Sequence, residues 1–294
     1  MKNKHAYLII AHNQPELLKI LLKTLDYSEN DIYVHLDKKM GNICLEQFYE
    51  VVKYSGLFFL SNRLDVRWGD FSQIECELQL LEASIPQKYQ YYHLMSGVDL
   101  PLKTQKEIHS FFDKHAGTEF VHFDAPQIDP LSYTRVSKYI FIQKRRKNWI
   151  EKIIYKIMMI VQFRVDRGKG TKLVYQKGAN WFSITNALAE YVVSNRSLIE
   201  KQFKYTLCAD EVFLQTLIAS SDFINFVSKN NFSDNYETIQ YCIDWKRGNP
   251  YEFRTNDFNN LMDSNMLYAR KFNWNIDSEI VLRICEKILD SNSK

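Results

Sequence analysis

The chain has 294 residues, a length typical of one large α/β domain that buries its own core without disulfides or a structural metal. Its 38 basic and 35 acidic residues give a net charge of +3, too balanced to indicate a nucleic-acid-binding protein. The five cysteines are odd in number and form no C-x-x-C pair, which predicts reduced thiols in a cytosolic chain.

The first part of the chain alternates apolar strands with amphipathic helices. Residues 6–11 are continuously apolar, as in a parallel strand buried on both faces, and this run is too short for a signal peptide. Further strands are predicted at 32–36, 56–60 and 91–95, with a helix that starts near Pro15 and another over 72–83. The alternation predicts a doubly wound, mostly parallel sheet flanked by helices in a single α/β domain.

Polar residues follow three of these strands. Ligands of doubly wound sheets bind at the carboxyl ends of the strands, so His12, Asp37, Gly97 and Asp99 are expected around one crevice. No G-x-G-x-x-G follows the first strand, which argues against a dinucleotide site, and the absence of G-x-x-x-x-G-K-[ST] excludes a P-loop NTPase.

Two segments that contain a tryptophan each allow two interpretations. Trp68 and Gly69 form either a turn where the backbone approaches a ligand or a plain tight turn. Trp181 lies in an apolar segment that is either a core strand or part of an acceptor site.

The middle of the chain contains a basic run at residues 144–147, followed by apolar residues at helical spacing through residue 161. One interpretation is that this stretch lies in the headgroup region of an anionic membrane. The other is that the apolar face packs on the core and the basic run is solvated.

Two adjacent acids, Asp210 and Glu211, open a strongly apolar helix. Asp210 suits the N-cap and Glu211 the first turn, where the helix dipole favours negative charge. A carboxylate at the lip of a cleft also suits an inverting transferase, in which it takes the proton of the attacking hydroxyl.

The chain contains no D-x-D, the motif with which many glycosyltransferases hold the metal that neutralises a leaving diphosphate. Fixed cations are the alternative, and Arg247, Arg254, Arg270 and Lys271 are the candidates, unless they are ordinary surface charges. Two H-x-D pairs, His35/Asp37 and His122/Asp124, place both side chains on one face of a strand; they are either metal ligands or donor-contacting and core residues.

Seven segments, taken together and in order, resemble glycosyltransferase family 14, which contains the core-2/I-branching β-1,6-N-acetylglucosaminyltransferases and the peptide O-xylosyltransferases. They are AYLIIAH (6–12), YVHLDK (33–38), VRWGDFS (66–72), HLMSGVDLPLK (93–103), KGANWFSIT (177–185), ADEVFLQTL (209–217) and LYARKF (267–272). The region 123–171 does not align, so the acceptor stays open.

The resemblance implies a GT-A-like fold, inversion at the anomeric carbon and no metal ion or other cofactor. It makes Glu211 the catalytic base, Lys271 a contact of the donor diphosphate and Asp37 a contact of the nucleoside, with either Arg247 or Arg254 as a second cation. The other donor-side candidates are His12, Trp68, Gly97, Asp99 and Arg270, and the acceptor-side candidates are Trp181 and Asp210.

By the same resemblance, residues 1–122 form a nucleotide-binding half and residues 123–294 an acceptor-binding and catalytic half. The expected reaction is transfer of N-acetylglucosamine from UDP-N-acetylglucosamine to a hydroxyl of a bacterial surface glycan, which could be carried on a lipid. The alternatives are a xylosyltransferase that uses UDP-xylose and a non-catalytic protein that binds a sugar or nucleotide. The expected location is the bacterial cytoplasm or the inner face of the cell membrane, and nucleic acid is not an expected ligand.

Overall fold

The computed structural model describes residues 4–141, 143, 149–228, 232 and 236–292. Within these residues, six strands form the main sheet: β1 (His5–Ala11), β2 (Asn30–Leu36), β3 (Gly56–Phe59), β4 (Tyr91–Ser96), β6 (Phe120–Val121) and β7 (Phe182–Thr185). Their order is β3-β2-β1-β4-β7-β6. The first four are parallel neighbours, and β7 is antiparallel to both β4 and β6.

A second, smaller sheet consists of β5 (Leu100–Pro101), β8 (Tyr241–Ile243) and β9 (Tyr268–Arg270), with β9 in the middle. The sequence alone does not predict this sheet, because its strands are two or three residues long and lie far apart in the chain. It is important for the site because it attaches the segment around Arg270 and Lys271 to the loop that follows β4.

The helices of the described residues are α1 (Pro15–Leu25), α2 (Glu46–Tyr49), α3 (Ser72–Ser84), α4 (Gln105–Lys114), α5 (Pro130–Ser137), α6 (Trp149–Val161), α7 (Asn186–Ser194), α8 (Arg196–Phe203), α9 (Phe213–Ala219), α10 (Phe258–Met262) and α11 (Ser278–Asn292). No helix in this part of the chain is both long and apolar enough to cross a membrane. All five cysteines are free.

Helices cover both faces of the main sheet. Apolar residues of α1, α4 and α11 pack on one face, where β1 contributes Tyr7 and Ile9. Residues of α3, α7, α8 and α9 pack on the other face, where β1 contributes Leu8 and Ile10. This alternation along a strand buried on both sides confirms the predicted class, a mostly parallel sheet flanked by helices in one α/β domain.

The two halves divided at residue 122 share both sheets. Strand β7 completes the main sheet beside β4, and β9 pairs with β5 in the smaller one. The halves are therefore structurally continuous, and their separate roles remain a functional prediction.

The carboxyl ends of β1 and β4 lie against each other at Gly97. A β-carbon on Gly97 would lie 2.9 Å from the Ala11 Cβ, closer than side-chain carbons normally approach, and the Gly97 amide donates to the Ile10 carbonyl at 2.9 Å. The glycine therefore brings the loop that carries Asp99 against the end of β1.

Candidate active site

Glu211 ends a short 3-10 turn, Ala209–Glu211, and its side chain is partly exposed. One carboxylate oxygen, Oε2, accepts from the Arg135 guanidinium of α5 at 3.2 Å and lies 3.9 Å from the Lys177 ammonium. The other oxygen, Oε1, accepts no hydrogen bond from the described residues. Helix α9 begins at Phe213 without a side-chain cap, so neither Asp210 nor Glu211 has the capping role that the sequence also allowed. The arrangement fixes one oxygen and leaves the other for a hydroxyl.

Lys177 and Asp124 form an ion pair beside Glu211. Burial alone would raise the pKa of Asp124, but contacts with His122 and Lys177 outweigh it and lower the pKa to about 2. The His122 Nδ1 lies 3.4 Å from Asp124 and accepts from the Ala179 amide at 3.2 Å. This H-x-D pair therefore positions Lys177 and the chain that follows it.

Two further carboxyl groups lie behind Glu211. Glu77 of α3 is fully buried, and neither of its oxygens has a hydrogen-bond partner among the described residues. Burial, together with the charge of Asp210, raises the pKa of Glu77 well above its usual value, against a smaller opposing effect of Asn180. Burial and the charge of Glu211 raise the pKa of Asp210 to about 7. Asp210 therefore titrates near neutral pH.

At the carboxyl end of β9, Arg270 is held by a buried acid and an aromatic ring. Its guanidinium lies 2.7 Å from the Asp99 carboxylate and 4.4 Å from the centroid of the Trp181 ring, within cation–π distance. Asp99 also accepts from the Ser96 amide at 2.8 Å and from the Tyr241 hydroxyl at 3.3 Å. Asp99 and Trp181 thus position Arg270 at the end of the strand.

Lys271 and His12 lie next to Arg270. The Lys271 ammonium is partly exposed and 3.4 Å from Glu252. His12 lies at the end of β1 and is exposed. Partial loss of solvent lowers the pKa of His12, and the positive charges of Lys271 and Arg270 lower it further, whereas the negative charge of Asp37 raises it. These charges make the end of β1 a positive region suited to phosphate.

The structure distinguishes the two candidates for a second cation. Arg247 binds Asp244 at 2.5 Å and Asp257 at 2.8 Å, and its guanidinium stacks on the Tyr251 ring at 4.0 Å. Arg254 has no carboxylate within ion-pair distance among the described residues, and it follows Phe253, whose amide donates to the Lys271 carbonyl at 3.0 Å. Arg254 is therefore the candidate whose charge no carboxylate of the described residues neutralises; its guanidinium donates to the Ile276 carbonyl at 3.4 Å.

One segment, residues 177–181, contacts both Glu211 and Arg270. The Gly178 amide donates to the Glu211 carbonyl at 2.9 Å, and Trp181 lies against Arg270. A β-carbon on Gly178 would lie 1.7 Å from the His122 carbonyl oxygen, so only glycine fits there. Since three residues span at most ~10 Å, this segment keeps the backbone of Glu211 close to Trp181, the ring that Arg270 contacts.

Asp37 and His35 fix the loop that carries Trp68. The buried Asp37 carboxylate accepts from the Lys39 amide at 2.8 Å and the Val66 amide at 3.1 Å. The buried His35 Nε2 accepts from the Leu64 amide at 2.8 Å. Across the described ranges, no three potential ligands of the His, Cys, Asp and Glu types lie together as a metal site would require.

Trp68 itself is largely exposed and borders the turn that contains Glu211. The next residue, Gly69, has a φ of +75° and accepts from the Cys208 amide at 3.0 Å. A side chain there would be strained and would crowd Leu207 and Cys208, which explains the glycine. Trp68 is thus placed at the rim of the cleft, and its donor contact remains a prediction.

His35→Gln should reduce the loss of stability at acidic pH. Burial, aided by Arg63 and opposed by Asp37, lowers the pKa of His35 to about 4 in the folded state. The unfolded value is about 6.5, so the unfolded chain binds more protons and stability falls as the pH drops below about 6.5. Between about pH 7 and pH 5, wild type should lose ~2 kcal/mol more unfolding free energy than the variant, measured by urea titration. His115→Gln, at an exposed histidine, serves as the control, and equal losses in wild type and His35→Gln would contradict the expectation.

The sequence pattern matches an established family along nearly all of its length. The family model of the core-2/I-branching enzymes matches residues 5–266. The chain belongs to the core-2/I-branching enzyme family. The segments KGANWFSIT and ADEVFLQTL, which supply Lys177 and Glu211, both fall within the matched region.

Curated relatives of this core-2/I-branching family member include animal xylosyltransferases. A xylosyltransferase of Ciona intestinalis is 21% identical over 291 residues, which cover 94% of this chain and 33% of the relative. Xylosyltransferase 2 of Rattus norvegicus is 23% identical over 295 residues, which cover 94% of this chain and 32% of the relative. The chain thus spans about a third of the length of the curated relatives it matches.

Among solved structures, mouse xyloside xylosyltransferase 1 in its apo form aligns over 90% of this chain and 96% of its own. The sequence identity is 10% and the TM-score 0.40.

The sequence does not predict four residues around Glu211: Glu77, Arg135, Lys177 and Asn180. The sequence does contain a signal for Glu77. This acid lies three positions after Ile74 on the apolar face of α3, where a charged residue is unusual. Lys177 and Asn180 lie in the family-like segment KGANWFSIT, within which the resemblance assigns a role only to Trp181. Arg135 lies outside the seven family-like segments, and no sequence signal identifies it.

Proposed function

We propose that this chain is an inverting, metal-independent glycosyltransferase that moves a sugar from a UDP-sugar to a hydroxyl of a glycan acceptor. The observation that carries the proposal is the set of contacts made by residues 177–181. Glu211, with one oxygen open, contacts the start of this segment through Gly178, and Arg270, which precedes Lys271, contacts its end through Trp181. A protein that only binds a sugar or a nucleotide has no need for such a base.

In this reaction Glu211 takes the proton of the acceptor hydroxyl as that oxygen attacks the anomeric carbon. The bond between this carbon and the diphosphate oxygen breaks, and the electron pair leaves with UDP. Lys271 and Arg254, with Arg270 behind them, stabilise the charge on the departing diphosphate in place of a metal ion. Because the donor is α-linked and attack comes from the opposite side, the product is β-linked.

The donor is placed along the strand ends, with the nucleoside near Asp37 and the diphosphate near His12 and Lys271. A surface cavity of about 380 Å³, lined in part by Lys38, Asn62 and Arg63, lies next to the end of β2 and is consistent with a ligand there. The resemblance to the branching N-acetylglucosaminyltransferases supports UDP-N-acetylglucosamine. The names of the curated relatives support UDP-xylose as the second candidate.

The acceptor side of the cleft is expected at Trp181 and Asp210. The acceptor is a growing bacterial surface glycan, and the reaction takes place in the cytoplasm or at the inner face of the cell membrane. Residues 123–171 contain none of the seven family-like segments and include Arg135, which contacts the proposed base. Acceptor choice is therefore expected to depend on this region.

A donor panel in excess EDTA tests the proposal. The purified chain should release UDP from UDP-N-acetylglucosamine or UDP-xylose, with water or an added sugar as acceptor, and proton NMR should show a β-configured product. Activity should persist in EDTA because fixed cations replace the metal. Failure to turn over any nucleotide sugar would contradict the transferase proposal. Activity abolished by EDTA and restored by Mn²⁺ would contradict its metal-independent form.

A further inference from the structure

Helix α6 presents its apolar side to solvent. None of its residues is buried, and those that are partly buried, Glu151, Tyr155, Met158 and Met159, lie on one side of the helix. The residues of the opposite side are between 40% and 75% exposed; they are Ile150, Ile153, Ile154, Ile157, Ile160 and Val161. An apolar stripe at helical spacing normally faces the core. Here it faces away, so the expectation that it packs on the core is wrong.

The surroundings of α6 are strongly basic. Residues 138–172 contain eleven basic and two acidic residues, an excess of nine positive charges, whereas the whole chain has an excess of three. The rest of the chain therefore has an excess of six negative charges. Within the described part of this segment, Lys152, Lys156 and Arg164 have no carboxylate at ion-pair distance. The basic run at 144–147 contributes to the count but lies outside the described residues.

We propose that α6 docks on an anionic lipid surface, with its isoleucine stripe among the acyl chains and its lysines at the headgroups. Thirteen residues make a helix of about 20 Å, shorter than the ~30 Å hydrocarbon core, so α6 lies along the interface. A second copy of the chain is a poorer occupant. A two-fold interface through this face would bring two strongly positive segments together.

The docking face is connected to the proposed base. The Gln162 side chain, just after α6, accepts from the Tyr139 amide at 2.8 Å and donates to the Tyr139 carbonyl at 3.0 Å. Lys138 donates to the Gln162 carbonyl at 2.9 Å, and three residues earlier Arg135 holds Glu211. If the proposed transferase activity is correct, docking through α6 presents Glu211 to an acceptor carried on a membrane lipid.

Vesicle flotation of the 294-residue chain tests the docking without reference to activity. Wild type should float with phosphatidylglycerol vesicles at low salt and should not float with phosphatidylcholine vesicles. Its binding to phosphatidylglycerol vesicles should be lost at high salt. Lys152→Ser/Lys156→Ser should weaken partitioning about 25-fold, since each basic residue near an anionic surface contributes about fivefold. Ile153→Ser/Ile157→Ser should weaken it at least about tenfold.

The matched controls change exposed residues of the same types elsewhere. Ile224→Ser/Leu282→Ser and Lys106→Ser/Lys114→Ser should bind vesicles as wild type does, and thermal melts should show that all variants fold. The docking proposal is overturned if wild type does not float with anionic vesicles at low salt. It is also overturned if the isoleucine variant still floats, or if sedimentation without lipid shows a dimer that this variant dissociates. None of these results bears on turnover, so the proposed enzymatic function stands or falls separately.

Discussion

Glu211→Gln should lower turnover ~10²–10⁴-fold, the usual cost of removing a general base, while the affinity for UDP stays within about twofold of wild type. Glutamine keeps the shape of the side chain and still accepts from Arg135, which lies 3.2 Å from the carboxylate in the wild type. It cannot take a proton from a hydroxyl at neutral pH. The measurement is steady-state turnover together with calorimetric titration of UDP.

Glu82→Gln is a close control for this substitution. The Glu82 side chain is 38% exposed, as is that of Glu211, and each is paired with an arginine. Glu82 pairs with Arg196, away from the cleft, so its replacement should leave turnover unchanged. If Glu211→Gln retains more than about half of wild-type turnover, Glu211 is not the base.

Lys271→Ala should weaken UDP binding and lower turnover together. In the proposed mechanism the lysine contacts phosphate in the bound donor and also the charge that develops as UDP departs. A charge-assisted contact contributes ~1.5–3 kcal/mol, which corresponds to a loss of about 10- to 150-fold in UDP affinity. Calorimetry of UDP binding and steady-state kinetics measure the two effects.

Glu252→Gln separates phosphate binding from the local ion pair. The Lys271 ammonium lies 3.4 Å from Glu252, so both substitutions break that pair, but only Lys271→Ala removes the cation. Glu252→Gln should therefore keep or improve UDP affinity.

Arg254→Ala should behave like Lys271→Ala, whereas Arg247→Ala should mainly reduce stability, since it breaks ion pairs with both Asp244 and Asp257. Unchanged UDP binding by Lys271→Ala would show that this lysine is only a surface charge.

The sequence by itself determined the fold class and the edge of the sheet where the cleft lies. Continuous apolar runs separated by amphipathic helices predict a parallel sheet covered on both faces, and polar residues at the strand ends then come together at one edge. His12, Asp37, Gly97 and Asp99 could be placed in this way because their positions follow from local periodicity. The adjacent acids before α9 also identified Glu211 as a candidate, although not against the alternative of a helix cap.

The tertiary structure alone decided which charges pair and which remain open. Arg135 reaches Glu211 across 76 residues of sequence, and Arg270 reaches Asp99 across 171. The local sequence around Arg247 and Arg254 does not show that only the first is neutralised by two carboxylates. Nor does the pattern of α6 show which way its stripe faces, since the same periodicity suits a core-facing and an outward-facing helix. Periodicity is a property of consecutive residues, whereas ion pairing and burial depend on what the rest of the chain brings within a few ångströms.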